Sequence, residues 1–373
     1  MDALMLPLNW QKVRLGDIGK PCMCKRVMKH QTTRYGEIPF YKIGTFGNTA
    51  DAFISKKLFL EYRTKYSFPK KGDILISASG TIGRAVIYDG KPAYFQDSNI
   101  VWIDNDETLV KNDFLFYIYS NVKWNTEYTT ILRLYNDNFR NTLIPLPPLN
   151  EQSAIANILS ALDRYLCALD ALILKKEGVK KALSFELLSQ RKRLKGFNQA
   201  WQRVRLGDIA NYLTSNLSVE QITQQGEIKV YDANNFIGYT DTTFISDKPY
   251  ISIVKDGSVG RVRILPPKTN ILSTMGALIA NHRTTTEFLF YLLSNFDFKN
   301  FTSGSIIPHI YFKDYKEKTI FLPPLNEQIA IANILSDLDN EITSLKNKKR
   351  QFENIKKALN HDLMSAKIRV LEK

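Results

Sequence analysis

Histidine and cysteine are scarce in this chain, and their scarcity excludes whole classes of chemistry. The four histidines, His30, His282, His309 and His361, are scattered, and the three cysteines comprise a C-x-C at Cys22 and Cys24 plus Cys167, which falls on an apolar helical face. Four ligands at zinc-binding spacing are missing, so no metal site is expected. No disulfide framework is expected either; reduced thiols in a reducing, cytoplasmic compartment fit better. No run of about 20 apolar residues exists, which excludes a membrane-spanning helix. The opening MDALMLPLNW lacks a basic start and a long apolar stretch, and is not read as a signal peptide. There is no G-x-x-x-x-G-K-[ST] or G-x-G-x-x-G phosphate loop, no H-x-E with P-C-x-x-C deaminase pattern, and no N-P-P-[FY] or D-P-P-[FY] string. No Ser–His–Asp set and no recurring carboxylate–lysine nuclease set is found. These absences agree with a binding role and no catalysis.

Acidic residues are the next shortage. Lys plus Arg number 51 against 37 Asp plus Glu, a formal charge of +14. That excess attracts a polyanion, with nucleic acid ahead of an anionic membrane because no basic amphipathic helix with exposed aromatics is evident. A basic surface that merely confers solubility is the plain alternative.

What the chain has in abundance is itself. LPPLNEQSAIANILSALD, from Leu146 to Asp163, returns as LPPLNEQIAIANILSDLD, from Leu322 to Asp339, identical at 16 of 18 positions. WQKVRLGDI from Trp10 returns as WQRVRLGDI from Trp201. A repeat of this length means two copies of one unit. GEIPFYKIGTFG from Gly36 aligns with GEIKVYDANNFIG from Gly226, and FISKKLF from Phe53 with FISDKPY from Phe244, at offsets of 190 and 191. SGTIGR, Ser79 to Arg84, aligns with DGSVGR, Asp256 to Arg261, at 177, and FLFYIYSN from Phe114 with FLFYLLSN from Phe288 at 174. The offset drops between Phe59 and Ile76, so copy one carries an insertion around EYRTKYSFPKKGD, expected as a surface loop. Near-identical ends enclose divergent middles: a shared frame with two different faces.

After each LPPLNEQ the pattern is helical. Ile155, Leu159, Leu162, Leu166, Leu169 and Ile173 alternate steps of four and three, as do Ile331, Leu335, Leu338, Ile342 and Leu345, with Phe352, Ile355, Leu359 and Leu363 continuing the second series. That is a coiled-coil seam. The Pro-Pro pair bars helix before it, Asn150 and Asn326 are candidate N-caps, and Glu151 and Glu327 suit the positive helix end. Each helix is expected to run about 40 residues, or about 60 Å. The basic runs KKEGVKK, QRKRLKG and KNKKR suit negative helix ends, and Gly178 is a soft spot. An intramolecular antiparallel pair is the economical arrangement; packing of each helix on its own globular unit is the alternative.

Residues 10–145 and 201–320 read as mixed α/β, an α+β class. Strand-like runs are IPFYKI, DILISA, RAVIYD, NIVWID, EIKVYD, YISIVK and RVRIL, with one helix per unit at NDFLFYIYSN and TTEFLFYLLSN. SGTIGR and DGSVGR join strand-like runs and are therefore glycine turns within a sheet. Such a turn can set Arg84 and Arg261 against phosphate, assisted by Ser79, Thr81 and Ser258, or be a plain turn with an exposed arginine. Further DNA-contact candidates are Lys25, Arg26, Lys29, Arg34 and Lys42 in the first unit and Lys229, Asn234, Asn235, Lys255 and Arg263 in the second. Asn and Arg read base edges with paired hydrogen bonds.

The W-x-x-V-R-L-G-D-I openings, the S-G-T-I-G and G-S-V-G turns, the doubled LPPLNEQ with A-I-A-N-I-L-S-x-L-D, and LMSAKIRV from Leu363 to Val370 closely resemble the specificity (S) subunit of type I restriction–modification systems. The likeness covers the whole chain. It implies target-recognition domains at residues 1–149 and 196–322, and spacer helices at 150–195 and 323–373. Each domain reads half of a split, asymmetric sequence in double-stranded DNA. Two methyltransferase (M) subunits dock along the helices, bring S-adenosylmethionine and methylate adenine at N6. Restriction (R) subunits, a motor–nuclease using ATP and Mg, join through the methylase. The chain itself binds no cofactor. Leu149, Ile158, Leu325 and Ile334, beside the seam, are candidate methyltransferase contacts or simply core. An orphan methylase specificity subunit without a nuclease, a coiled-coil scaffold that reads no sequence, and a fused nuclease–specificity enzyme remain alternatives.

Overall fold

The computed structural model describes residues 7–128 and 132–370. Most of the opening segment read against a signal peptide lies outside them. The chain forms two compact units, Met1–Leu169 with Lys348–Lys373, and Asp170–Asn347. These units cut across the four expected segments, because each takes half of both long helices.

Each unit carries the same three sheets and, besides them, a short two-stranded hairpin, Glu127–Tyr128 with Leu132–Arg133 in the first and Thr302–Ser303 with His309–Ile310 in the second. In the first, a four-stranded antiparallel sheet runs Gly19–Met23, Ile100–Asn105, Ile74–Ser77, Ala85–Ile87 in spatial order. The second unit repeats it as Ala210–Thr214, Met275–Ala280, Tyr250–Val254, Val262–Leu265. The strands Ile74–Ser77 and Tyr250–Val254 are buried throughout, which is why they read as unbroken apolar runs without alternation. The helices Asn112–Ile118 and Thr286–Ser294 bury Phe114, Leu115, Phe288 and Leu289 in the cores of their units.

A three-stranded sheet follows in each unit: Phe53–Ile54, Ile38–Tyr41, Tyr94–Phe95 in the first, and Phe236–Thr240, Ile228–Tyr231, Thr269–Ile271 in the second. Its register corrects the sequence alignment. Ile38 pairs with Ile54 and Ile228 with Thr240, so Phe53 corresponds to Tyr239 and not to Phe244. The expected surface-loop insertion is also corrected. Its start lies in a helix, Lys56–Lys65, capped by the Ser55 hydroxyl accepting from Leu58 N–H, with Phe59 buried and its ring edge-on to Phe68 at 5.5 Å. The rest of the length difference lies between the paired strands, where residues 42–52 of copy one stand against 232–238 of copy two, of which 232–235 form the connection.

The third sheet is a two-stranded ribbon that the sequence reading missed. Gln11–Arg14 pairs with Leu143–Leu146, and Gln202–Arg205 with Thr319–Leu322. It brings each WQ-x-V-R opening against the lead-in to its long helix. Trp10 Nε1 donates to Glu151 at 3.1 Å, and Trp201 Nε1 to Glu327 at 2.9 Å. The near-identical ends of the copies are thus one assembled element.

The long helices span Leu149–Leu188 and Leu325–Met364, 40 residues each. Asn150 and Asn326 therefore sit inside the first turn and not at the N-cap; each side-chain oxygen accepts from the next residue's N–H at 2.9 Å. The basic runs are not at helix ends either. Residues 175–181 and 346–350 lie mid-helix and residues 190–196 beyond the end, so their partners are side chains and not the helix dipole. Gly178 leaves the first helix unbroken.

Within each unit, helix halves pair in opposite directions. In the first, Tyr165 packs on Phe352 with ring centroids 4.7 Å apart, Asp163 pairs with Lys356, and Glu151 with Arg369 at 2.7 Å. In the second, Lys176 meets Glu341 at 2.8 Å and Lys180 meets Asp339, while Glu177 meets Lys346 at 2.6 Å. Ile155, Leu159, Leu169, Ile173, Ile331, Leu335 and Ile342 are buried, and Leu162, Leu166, Leu338, Leu345, Phe352 and Leu359 half-buried. Ile155 and Leu159 join the first unit's core beside Leu363 and Met364, and Ile331 and Leu335 join the second's beside Leu187. Both expected packings therefore coexist: the helix starts lie on their globular units and on the other helix at once. Ile355 departs from the expected seam, being 50% exposed, and Cys167 is exposed and not on an apolar face. Among the described residues no helix is long and apolar enough to cross a membrane, and no cluster of three His, Cys, Asp or Glu could hold a metal.

Candidate nucleic-acid interface

Both units tie three loops together in the same way. The glycine turn between the buried strand and its neighbour is closed by Gly83 N–H to Ser77 O and Ser77 N–H to Arg84 O, at 2.9 and 3.0 Å. In the second unit Gly260 N–H to Val254 O and Val254 N–H to Arg261 O, both 2.9 Å, do the same. Only glycine fits the turn. Gly83 and Gly260 have φ of +83° and +79°, and a Cβ would stand 2.2 Å from Trp124 Nε1 or 2.6 Å from the Phe298 ring.

The second loop leads into a strand that hydrogen-bonds onto the turn. Leu134 N–H donates to Ala78 O at 2.9 Å in the first unit. In the second, Gly257 N–H donates to Pro308 O and Ile310 N–H to Lys255 O, both at 2.9 Å, anchoring the hairpin Thr302–Ser303 with His309–Ile310. His309 Nδ1 also lies 2.6 Å from an Asp256 oxygen.

The third loop is the strand connection of differing length, and the turn arginine reaches it in both units. Arg84 donates to Phe46 O at 3.0 Å. Arg261 donates to the Asn234 side-chain oxygen, and Arg263 to the Asn234 carbonyl at 2.7 Å while lying 5.3 Å from the Tyr231 ring centre. Asn234 is itself fixed, because Asp232 accepts from the N–H groups of both Asn234 and Asn235 at 2.6 Å.

Electrostatics separates the candidates. Among the described residues, Arg84, Arg261 and Arg263 are held by neutral oxygens and pair with no carboxylate. A guanidinium oriented this way keeps its charge for a phosphate or a guanine edge. Arg26 and Lys42 are instead matched by Asp97 at 3.1 Å and Asp51 at 2.8 Å. Lys25 lies over the Tyr66 ring at 5.0 Å. Lys29, Arg34, Thr81, Lys229, Asn235 and Ser258 are exposed, and Lys255 is half-buried. Ser79 is buried, and its hydroxyl donates to the Asn99 side-chain oxygen at 2.7 Å. On the helices Leu149, Ile158 and Leu325 are exposed and Ile334 is half-buried.

Sequence reasoning also missed the buried carboxylates. Glu327 is 0% exposed and receives Arg193 at 2.6 and 3.1 Å beside Trp201; Glu151 is 6% exposed and receives Arg369 at 2.7 and 3.0 Å beside Trp10. The signal was present: LLSQRKR from Leu187 aligns with LMSAKIR from Leu363, placing Arg193 opposite Arg369.

Residues 7–176 and 198–354 match the family described as the type I restriction modification DNA specificity domain. The Haemophilus influenzae protein S.HindORF215P, named as a type I restriction enzyme specificity subunit, is 63% identical over 148 residues, 39% of this chain; in that match the chain spans 38% of the relative's length. The MjaVIII specificity subunit of Methanocaldococcus jannaschii is 25% identical over 414 aligned positions, covering 99% of this chain and 95% of that one. The crystal structure of a type I restriction–modification S subunit from M. genitalium shares the fold, with a TM-score of 0.63 at 21% identity over 97% of this chain and 98% of that one. Both copies, each with its arginine-bearing turn, hairpin strand and strand connection, fall inside the family match. The chain therefore belongs to the type I restriction–modification DNA specificity family, as a specificity component and not a catalytic one.

Proposed function

We propose that the two units read unlike half-sites of one asymmetric duplex target, and that the long helices set the gap between the halves and dock two adenine-N6 methyltransferase subunits. The observation that carries this reading is the loop cluster built twice on one frame with different residues: Arg84 against the 42–52 connection, and Arg261 with Arg263 around Asn234. A common frame gives both heads the same mode of approach, and unlike loops give them different base preferences. Leu149, Ile158, Leu325 and Ile334 supply apolar surface for the methyltransferases. Those subunits bring S-adenosylmethionine, and restriction subunits using ATP and Mg join through them; this chain binds neither cofactor. The complex works in the cytoplasm, where its DNA is.

The test is to co-express the chain with its methyltransferase and map modified adenines. Exchanging residues 10–145 for another head changes one half-site and leaves the other. A change in both halves overturns modular reading. Inserting whole helical turns after Leu174, with matching turns in the partner helix, alters the gap and neither half-site. An unaltered gap overturns the spacer role.

A further inference from the structure

The second unit's hairpin ends in the most exposed aliphatic pair of its loop cluster. Ile306 is 92% and Ile307 55% exposed. The tip is built to hold them out. Gly304 takes φ +91°, where a Cβ would stand 2.3 Å from Ile307 O, and the arms close through Thr302 with Ile310 and Ser303 with His309. The hairpin is anchored to the glycine turn by Gly257 N–H to Pro308 O at 2.9 Å, so the tip belongs to the same cluster as Arg261. Residues 302–310 contain no carboxylate, and the nearby Asp256 is engaged by His309. A branched aliphatic tip left in water beside guanidinium groups that keep their charge matches one feature of a duplex: the thymine C5-methyl, the apolar group among the major-groove base edges.

Resting on the reading that this unit recognises DNA, we infer that Ile306 and Ile307 contact a thymine methyl in the second half-site and so help to determine its sequence. Arg261 and Arg263 supply charge and polar readout; the isoleucines supply the apolar discrimination that those side chains lack. The contact is uncharged, so its loss leaves the salt dependence of binding unchanged, whereas loss of a phosphate contact reduces it.

The test uses the full chain assembled with its methyltransferase, and duplexes carrying the mapped target with each thymine of the second half-site replaced in turn by uracil. One replacement weakens wild-type binding about fourfold, the worth of one buried methyl. The Ile306→Ser, Ile307→Ser variant binds more weakly, is indifferent to that replacement, and keeps the wild-type salt slope. A split target with no methyl-sensitive thymine, or a variant that retains the sensitivity, overturns this inference alone. Failure of the variant to assemble with the methyltransferase overturns it in favour of a protein-docking tip. Brightening of 2-aminopurine beside the tip without methyl sensitivity overturns it in favour of an intercalating wedge. A wild-type complex with no split target overturns the parent reading, and this inference with it.

Discussion

Replacing Glu327 with alanine tests the claim that each copy is locked at the start of its long helix. The carboxylate is fully buried and accepts from Trp201 at 2.9 Å and from Arg193 at 2.6 and 3.1 Å. Its removal strands the buried indole N–H, which alone costs about 1–3 kcal/mol. The Arg193 guanidinium left behind is 26% exposed, so water takes over part of its charge and its loss of partner adds less than that of a fully buried ion. We take about 3 kcal/mol, which corresponds to a rise of roughly 150-fold in amide exchange where opening of this region limits it. Hydrogen exchange read by mass spectrometry in peptides covering 193–206 and 319–335 of the full chain is the assay. Glu327→Gln keeps an acceptor for Trp201 and loses the charge, so its effect should be smaller. Exchange within threefold of wild type in Glu327→Ala would refute the reasoning, and would mean that apolar packing of Leu206, Ile331 and Leu335 holds the junction unaided. Glu151→Ala should act alike on peptides covering 7–14 and 143–159, where Trp10 and Arg369 lose their acceptor.

Arg84→Ala and Arg261→Ala should each weaken DNA binding and lower the salt slope by about 1 if the guanidinium meets phosphate, measured by titration at several ionic strengths; an unchanged slope with relaxed sequence preference assigns it to a base. Gly260→Ala forces a Cβ into the Phe298 ring at positive φ, so thermal unfolding of the second unit should show a loss of about 1–3 kcal/mol. Replacing Leu162 and Leu338 together by Asp places charges in half-buried helix contacts, and co-purification should show loss of methyltransferase assembly. Burial pushes the Cys24 thiol up to about 12 and raises Cys22, whereas Cys167 is exposed. A raised pKa leaves little thiolate below it, so iodoacetamide at pH 8 should label Cys167 first and Cys24 last by mass spectrometry, with Cys24 gaining reactivity only as pH approaches its own pKa.

The duplication, both long helices and the glycine turns were legible because each rests on short-range pattern. Pro147–Pro148 stop helix, the four–three spacing from Ile155 onward starts it, and Gly83 and Gly260 mark turns that no other residue fits. The role of the openings was not legible. Nothing near Trp10 announces that its partner is Glu151, because the ribbon joining them closes the whole chain between Arg14 and Leu143. The alignment at Phe53 failed for a related reason: a matching FIS string suggested Phe244, whereas ladder register selects Tyr239.

By itself the sequence determined that one unit occurs twice, where its two long helices run, and that the chain is basic, since repeats, periodicity and net charge are properties of order and composition. Only the tertiary structure decided which charges remain available. Arg26 and Lys42 meet carboxylates while Arg84, Arg261 and Arg263 meet neutral oxygens, and Ser79 is buried against Asn99 while Ile306 stands exposed. Neutralisation and exposure depend on which distant segments fold to within a few ångströms, and no local pattern carries that distance.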